Sequence, residues 1–157
     1  MKRLQLDTKH LIPTDCPRSL LGILRFIPLF CAGKNVKAVI VVPAPMRKNH
    51  TGDADYLVCS GNHRSAAAHI CKVPIKADVI ETDADLLKIR DGAIIECTTV
   101  AELISACTEA AESGGYMKGR WLEYLKMITD SGVVGFDEDD TVNRSAAALG
   151  RGGRPII

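Results

Sequence analysis

Aromatic side chains are scarce in this sequence: three Phe, three Tyr and one Trp make up 4% of its 157 residues. Readers of single-stranded RNA or DNA stack bases on aromatic rings, so that mode of recognition is poorly supplied. Charge of one sign is lacking too, since 20 Lys and Arg face 19 Asp and Glu for a formal net charge of +1. A nucleic-acid role would have to come from a local basic patch. The six cysteines, Cys16, Cys31, Cys59, Cys71, Cys97 and Cys107, include no CxxC pair and no tight Cys/His cluster, which argues against a structural zinc, and no metal ligand set is expected. Long apolar runs are also missing. The greasiest stretch, Leu20 to Cys31, is broken by Arg25 and Pro28 and falls short of the roughly 20 apolar residues that span a bilayer. Met1-Lys2-Arg3 leads into Leu4-Gln5-Leu6-Asp7-Thr8-Lys9 rather than into a secretory leader. Together these features predict a cytoplasmic protein with reduced thiols and no membrane partner.

What is present is ordinary globular material, 46% hydrophobic and 25% charged, in a chain long enough for one well-buried core and an extension. Lys9 to Pro17 reads as an extended lead-in. A helix should follow, with Leu20, Leu21, Ile23, Leu24 and Ile27 on a buried stripe that Pro28 ends or kinks. Val36 to Val42 is β-branched and apolar on both faces apart from Lys37, the pattern of a central strand, and Pro43 and Pro45 are expected to stop it. The polar loop Arg47 to Asp53 separates it from a second strand, Tyr56 to Cys59, as in a long-looped hairpin. Ile75 to Ile80 alternates as a strand with one wet face, and Asp83 begins a small helix with acids at its N-terminal end. Thr99-Val100-Ala101-Glu102 resembles a capping box, opening an amphipathic helix along Val100, Leu103, Ile104 and Cys107 that Gly114-Gly115 ends. A second stripe, Trp121, Leu122, Leu125 and Ile128, predicts another helix and leaves room for a homodimer. The acidic run Asp137 to Asp140 and the tail carrying Arg144, Arg151 and Arg154 read as partly ordered.

The stretch that carries chemistry is Tyr56-Leu-Val-Cys-Ser-Gly-Asn-His-Arg-Ser-Ala-Ala-Ala-His69, an apolar strand that stops at Gly61 and reopens as an alanine-rich helix with His63 and Arg64 in its first turn. The first N–H groups of a helix lack intrahelical partners and carry partial positive charge, and glycine lets a ligand approach the backbone. The planar donor fork of Arg64 suits phosphate or carboxylate. Ser60 and Ser65 offer hydroxyl donors, Asn62 offers either a cap or an amide contact, and His63 is the turn's own general base or phosphate donor. The bland reading of the same residues is structural: His63 bonded to a loop carbonyl and Arg64 paired with Asp78 or Glu81. Cys59 ends the strand and reads as a small buried hydrophobe rather than a reactive thiol. Asp53 and Asp55 read as solvated loop acids, and Arg47 and Lys48 as a wet loop.

The order strand, Gly61-Asn62-His63-Arg64, then Ala66-Ala67-Ala68, resembles the signature of the ParB/sulfiredoxin superfamily, the ParB-like nuclease domain. The resemblance runs from about Lys9 to about Leu87, with Leu11-Ile12-Pro13-Thr14 at its start, Ala38 to Val42 as the preceding strand and Val73-Pro74-Ile75 leading into the next. It implies a small mixed sheet with flanking helices and a turn, Ser60 to Ser65, that holds nucleoside phosphate. Ser60 stands where many members have an aspartate, and Asn62 stands where sulfiredoxins have their reactive cysteine. A catalytic acid would then come from elsewhere, and family kinases, which draw one from the N-terminal region, point to Asp15.

The expected protein is therefore α+β, with a ParB/sulfiredoxin-like nucleotide-binding domain over 1–95, a helical extension over 96–135 and an acidic and Arg/Gly tail over 136–157. Its expected ligand is ATP or another nucleoside phosphate, with magnesium admitted. Two functions follow: a nucleotide-dependent phosphotransferase or nuclease-like hydrolase with His63 and Asp15 as catalytic residues, or a non-enzymatic DNA-associated or assembly module that uses nucleotide as a structural ligand or switch.

Overall fold

The computed structural model describes residues 1–14, 20–48, 54–89, 94 and 96–113. Asp15, the 121–128 stripe, the acidic run and the arginine tail lie outside them. The fold is mixed α+β, a five-stranded sheet flanked by helices: β1 (Lys2–Leu6), a 3-10 turn (Thr8–His10), β2 (Leu11–Ile12), α1 (Leu20–Leu24), α2 (Ile27–Cys31), β3 (Val39–Lys48), β4 (Ala54–Ser60), α3 (Asn62–Cys71), β5 (Ile75–Val79), α4 (Asp83–Leu87) and α5 (Val100–Ser113). The strand order is β1-β5-β3-β4-β2. β3 and β4 pair antiparallel as the hairpin pattern implies, while β3 with β5 and β2 with β4 are parallel.

Alternation along the middle strands sorts their side chains onto two faces. Val39, Val41 and Val58 point to one face, where they meet Ala68 of α3 together with Ile75, Ala77 and Val79. Ile40, Val42, Ala44 and Leu57 point to the other, where they meet Leu103, Cys107 and Ala111 of α5. The sheet is thus a layer between α3 and α5. Ala66 and Ala67 turn away from it and pack with Ile23, Leu24 and Ile27 of α1 and α2. An alanine run lets α3 lie close to a neighbour on both sides, and Ala66, Ala67 and Ala68 are all fully buried.

Several local expectations change. β1 was not legible as a strand; Arg3 lies directly opposite Asp78 on β5 and donates to it from Nε at 2.7 Å and from Nη2 at 3.1 Å, so the acid considered for Arg64 is engaged by Arg3 instead. That bidentate pair holds the Asp78 carboxyl below its ordinary range. β3 is not stopped by Pro43 and Pro45 but continues to Lys48. Its pairing with β5 covers only Val39 to Val41, so beyond that point one side of the strand needs no ladder donor, and the register to β4 is irregular after Ala44. The expected first helix is two short ones, because Pro28 has no N–H to give Leu24; Phe26 N turns instead to Ile23 O at 3.0 Å, and Pro28 sits in the first turn of α2.

At α5 only half of the expected capping box forms. Glu102 N donates to Thr99 Oγ1 at 3.2 Å, but the Glu102 carboxylate reaches past Thr99 to accept from Thr98 N and Thr98 Oγ1, each at 3.1 Å. The complete box is at α4, where Thr82 and Asp85 cap one another and backbone donors, chiefly Glu81 N, lower the Asp85 carboxyl. Among the described residues no helix is long and apolar enough to cross a membrane.

Candidate functional site

β4 delivers the chain to Gly61, whose φ of +102° is left-handed, and α3 starts at the next residue. Gly61 occupies the N-cap position and offers no side chain, so no cap hydrogen bond is made from it. A side chain is excluded there twice over. An added Cβ would stand 2.6 Å from Val39 Cγ1 and 2.7 Å from Arg64 Nη2. The second distance also locates the guanidinium: Arg64 folds back over the glycine, and its Nη1 donates to Lys37 O at 3.4 Å. The cation therefore stays at the turn, half-buried, beside the glycine backbone.

The other residues expected at this turn are placed differently. Asn62 is the first helical residue, not the cap, and its amide ties the N-terminal loop down: Oδ1 accepts from Thr14 N at 3.1 Å and Nδ2 donates to Thr14 Oγ1 at 3.4 Å. Thr14 Oγ1 in turn donates to Val58 O. Ser65 is buried, and its hydroxyl donates to Asn62 O at 3.0 Å within the helix. His63 turns its ring toward α1, where an added Cβ on Gly22 would meet its Cδ2 at 2.8 Å, and its Nε2 is buried. Ser60, half-buried, closes β4 opposite Ile40. The turn thus gathers Gly61, Arg64 and the opening amides of α3, while Asn62 and Ser65 make internal bonds.

Compared with family models, curated proteins and solved structures, the chain matches none.

A cluster that sequence reading missed lies at the opposite end of β4. Asp55 is not a solvated loop acid but 4% exposed, and it bridges two cations or donors. His10 Nδ1 bonds its Oδ1 at 3.0 Å, Arg47 Nε donates to Oδ2, and Arg47 Nη2 reaches Lys9 O at 3.2 Å. Arg47 accordingly pairs with a buried carboxylate rather than standing in a wet loop. The β3–β4 hairpin places Arg47 beside Asp55, and the parallel pairing of β2 with β4, Leu11 opposite Tyr56, brings His10 to them from 45 residues away.

Cys59 packs against the α5 side of the core, its Sγ 3.8 Å from that of Cys107. That contact and burial hold the Cys59 thiol well above its ordinary range, which agrees with the expected inert hydrophobe. Among the described residues no group of three or more His, Cys, Asp or Glu is arranged to hold a metal ion.

Two concavities among the described residues lie around the segment that follows α3, Lys72 to Lys76. One, about 380 Å³, is lined by Phe30, Asn35, Val73 and Lys76; the other, about 230 Å³, by Asp7, Thr8, His69 and Lys72. His69 Nδ1 is 3.1 Å from Thr8 Oγ1, and burial lowers the pKa of the imidazole despite the nearby Asp7. The unfolded chain then binds the proton more readily, so stability rises with pH through this window and falls on acidification below the ordinary value of 6.5. Urea midpoints should fall between about pH 7.5 and 5.5 in the native sequence and fall less in His69→Gln; equal slopes would remove His69 as the cause. The lowered carboxyls of Asp78 and Asp85 act in a separate window, losing their contribution only as pH falls below about 4.

Proposed function

We propose that the chain binds a phosphorylated ligand, a nucleoside phosphate such as ATP, at the turn from Gly61 into α3, as the resemblance to the ParB/sulfiredoxin superfamily implies. One observation carries the reading: the Arg64 guanidinium lies over the left-handed glycine that opens α3, so a cation and the helix's opening amides share one corner. A phosphate there would accept from the backbone and pair with the guanidinium, and magnesium would supply further neutralisation.

Binding, rather than phosphoryl transfer or phosphodiester hydrolysis, is the function proposed. The general base that the turn offers, His63, has its ring against Gly22 of α1 and its Nε2 buried, and Asp15 lies outside the described residues. That placement favours the module reading, in which nucleotide is a structural ligand or switch for a DNA-associated or homodimeric assembly.

Titration calorimetry with ATP, ADP, CTP and GTP, with and without magnesium, tests it. At least one should bind, and Arg64→Ala should weaken it roughly 10- to 100-fold, the size of a lost charge-assisted bond. Melting of the unliganded variant should stay close to that of the native protein, since Arg64 is half-buried at the surface. Equal affinity in both proteins would refute the site. Turnover of the bound nucleotide by the native protein would restore the enzyme reading.

A further inference from the structure

Cys31 is the last residue of α2 and Cys71 the last residue of α3, and their sulfur atoms lie 3.8 Å apart, in van der Waals contact. The two helices are held in that relation by Ile27, Ala66, Ala67 and Ile70, so the thiols meet because a packed interface places them, not because a loop happens to bend. Cys31 is exposed and Cys71 half-buried.

We propose that Cys31 and Cys71 form an oxidisable dithiol which a low-molecular-weight disulfide such as oxidised glutathione converts to a disulfide, stapling the end of α2 to the end of α3. The Cys31 thiolate attacks one glutathione sulfur, forming a mixed disulfide and releasing one glutathione thiolate. Cys71 then loses its proton to solvent and attacks the Cys31 sulfur, expelling the second. Two protein thiols and one oxidised glutathione become one protein disulfide and two reduced glutathiones.

The order of the two steps follows from exposure and charge. Burial, joined by the neighbouring Cys31, pushes the Cys71 thiol up to about 12, so it is a poor first nucleophile. Once the Cys31 sulfur is capped it carries no charge, that part of the penalty disappears, and the target sulfur is already adjacent. Cys59 and Cys107 are equally close at 3.8 Å, but Cys107 is buried and Cys59 only half-exposed, so an external disulfide has no exposed thiol to meet. That pair is the internal comparison. The inference stands apart from the phosphate reading, since neither cysteine lies in the Gly61 turn.

The full chain is incubated with oxidised glutathione, quenched by alkylation and mapped by peptide mass spectrometry. The expected dominant product joins Cys31 to Cys71. Cys71→Ser should stop at a glutathione adduct on Cys31, and Cys31→Ser should give no disulfide to Cys71; because Cys31 is exposed, its replacement leaves the fold intact. Closing a link between residues 40 apart should raise the melting temperature of the oxidised native protein by about 10 °C over the reduced form, a shift missing in Cys31→Ser. A native protein that accumulates the Cys31 adduct without closing it, or that oxidises Cys59 and Cys107 first, would overturn the proposal.

Discussion

Gly61→Ala is expected to destabilise the protein by about 2–4 kcal/mol. Two costs add. The backbone at φ +102° lies in the left-handed region, where a Cβ costs about 1–2 kcal/mol, and the new methyl would press on Val39 Cγ1 at 2.6 Å. Val39 is fully buried in the centre of the sheet, so it has little room to withdraw. The restriction of the unfolded chain offsets only about 0.4–1 kcal/mol of this. Gly33 supplies the control, because its φ is +65° and an added Cβ there meets nothing within 4 Å. Gly33→Ala should therefore show the conformational cost alone, and the difference between the two variants in urea unfolding measures the contact with Val39 and Arg64. If Gly61→Ala were no worse than Gly33→Ala, the close approach at the turn would be wrong. The same variant displaces the guanidinium, so the nucleotide binding proposed for this turn should weaken together with stability.

Asp55→Ala should cost about 1.5–3 kcal/mol, the size of the lost hydrogen bonds to a charged group. Its side chain is 6% exposed, whereas those of Arg47 and His10 are 37% and 25% exposed. Removing the acid leaves two groups that can still turn to water, so the larger penalty of a stranded buried charge does not apply. Removing Arg47 instead leaves the carboxylate buried with His10 alone. The single losses from Asp55→Ala and Arg47→Ala should accordingly overlap, with the double variant less damaged than their sum by at least 1 kcal/mol or so. Additive losses in a thermal or urea double-mutant cycle would show that the two side chains do not act as one unit. Because the cluster anchors the 3-10 turn through Lys9 O, hydrogen exchange should also quicken at Thr8 to Ile12 in both single variants.

Much of the sheet was legible because its cues are local. Apolar alternation located β5, the Tyr56 to Cys59 run located β4 to within a residue or two, and acids after Thr82 located α4. β1 was not legible: Lys2-Arg3-Leu4-Gln5-Leu6 has only a short alternation, and it becomes a strand because β5 offers a partner and Arg3 finds Asp78. Prolines misled for a related reason. Whether Pro43 ends a strand depends on whether a neighbour needs its missing N–H, and that is a property of sheet order.

By itself the sequence determined where a strand hands over to a helix through glycine and that an arginine stands in the opening turn, because a glycine followed by an alanine run is a local statement about backbone freedom and helix propensity. Which way each side chain of that turn points was decided by tertiary structure alone. Arg64 lies over Gly61 because Val39 and Lys37 wall the corner, His63 is drawn to Gly22 because only a glycine there leaves space for a ring, and Asp55 is buried because β2 comes to lie beside β4. Such contacts join residues tens of positions apart, and no local pattern encodes the space between them.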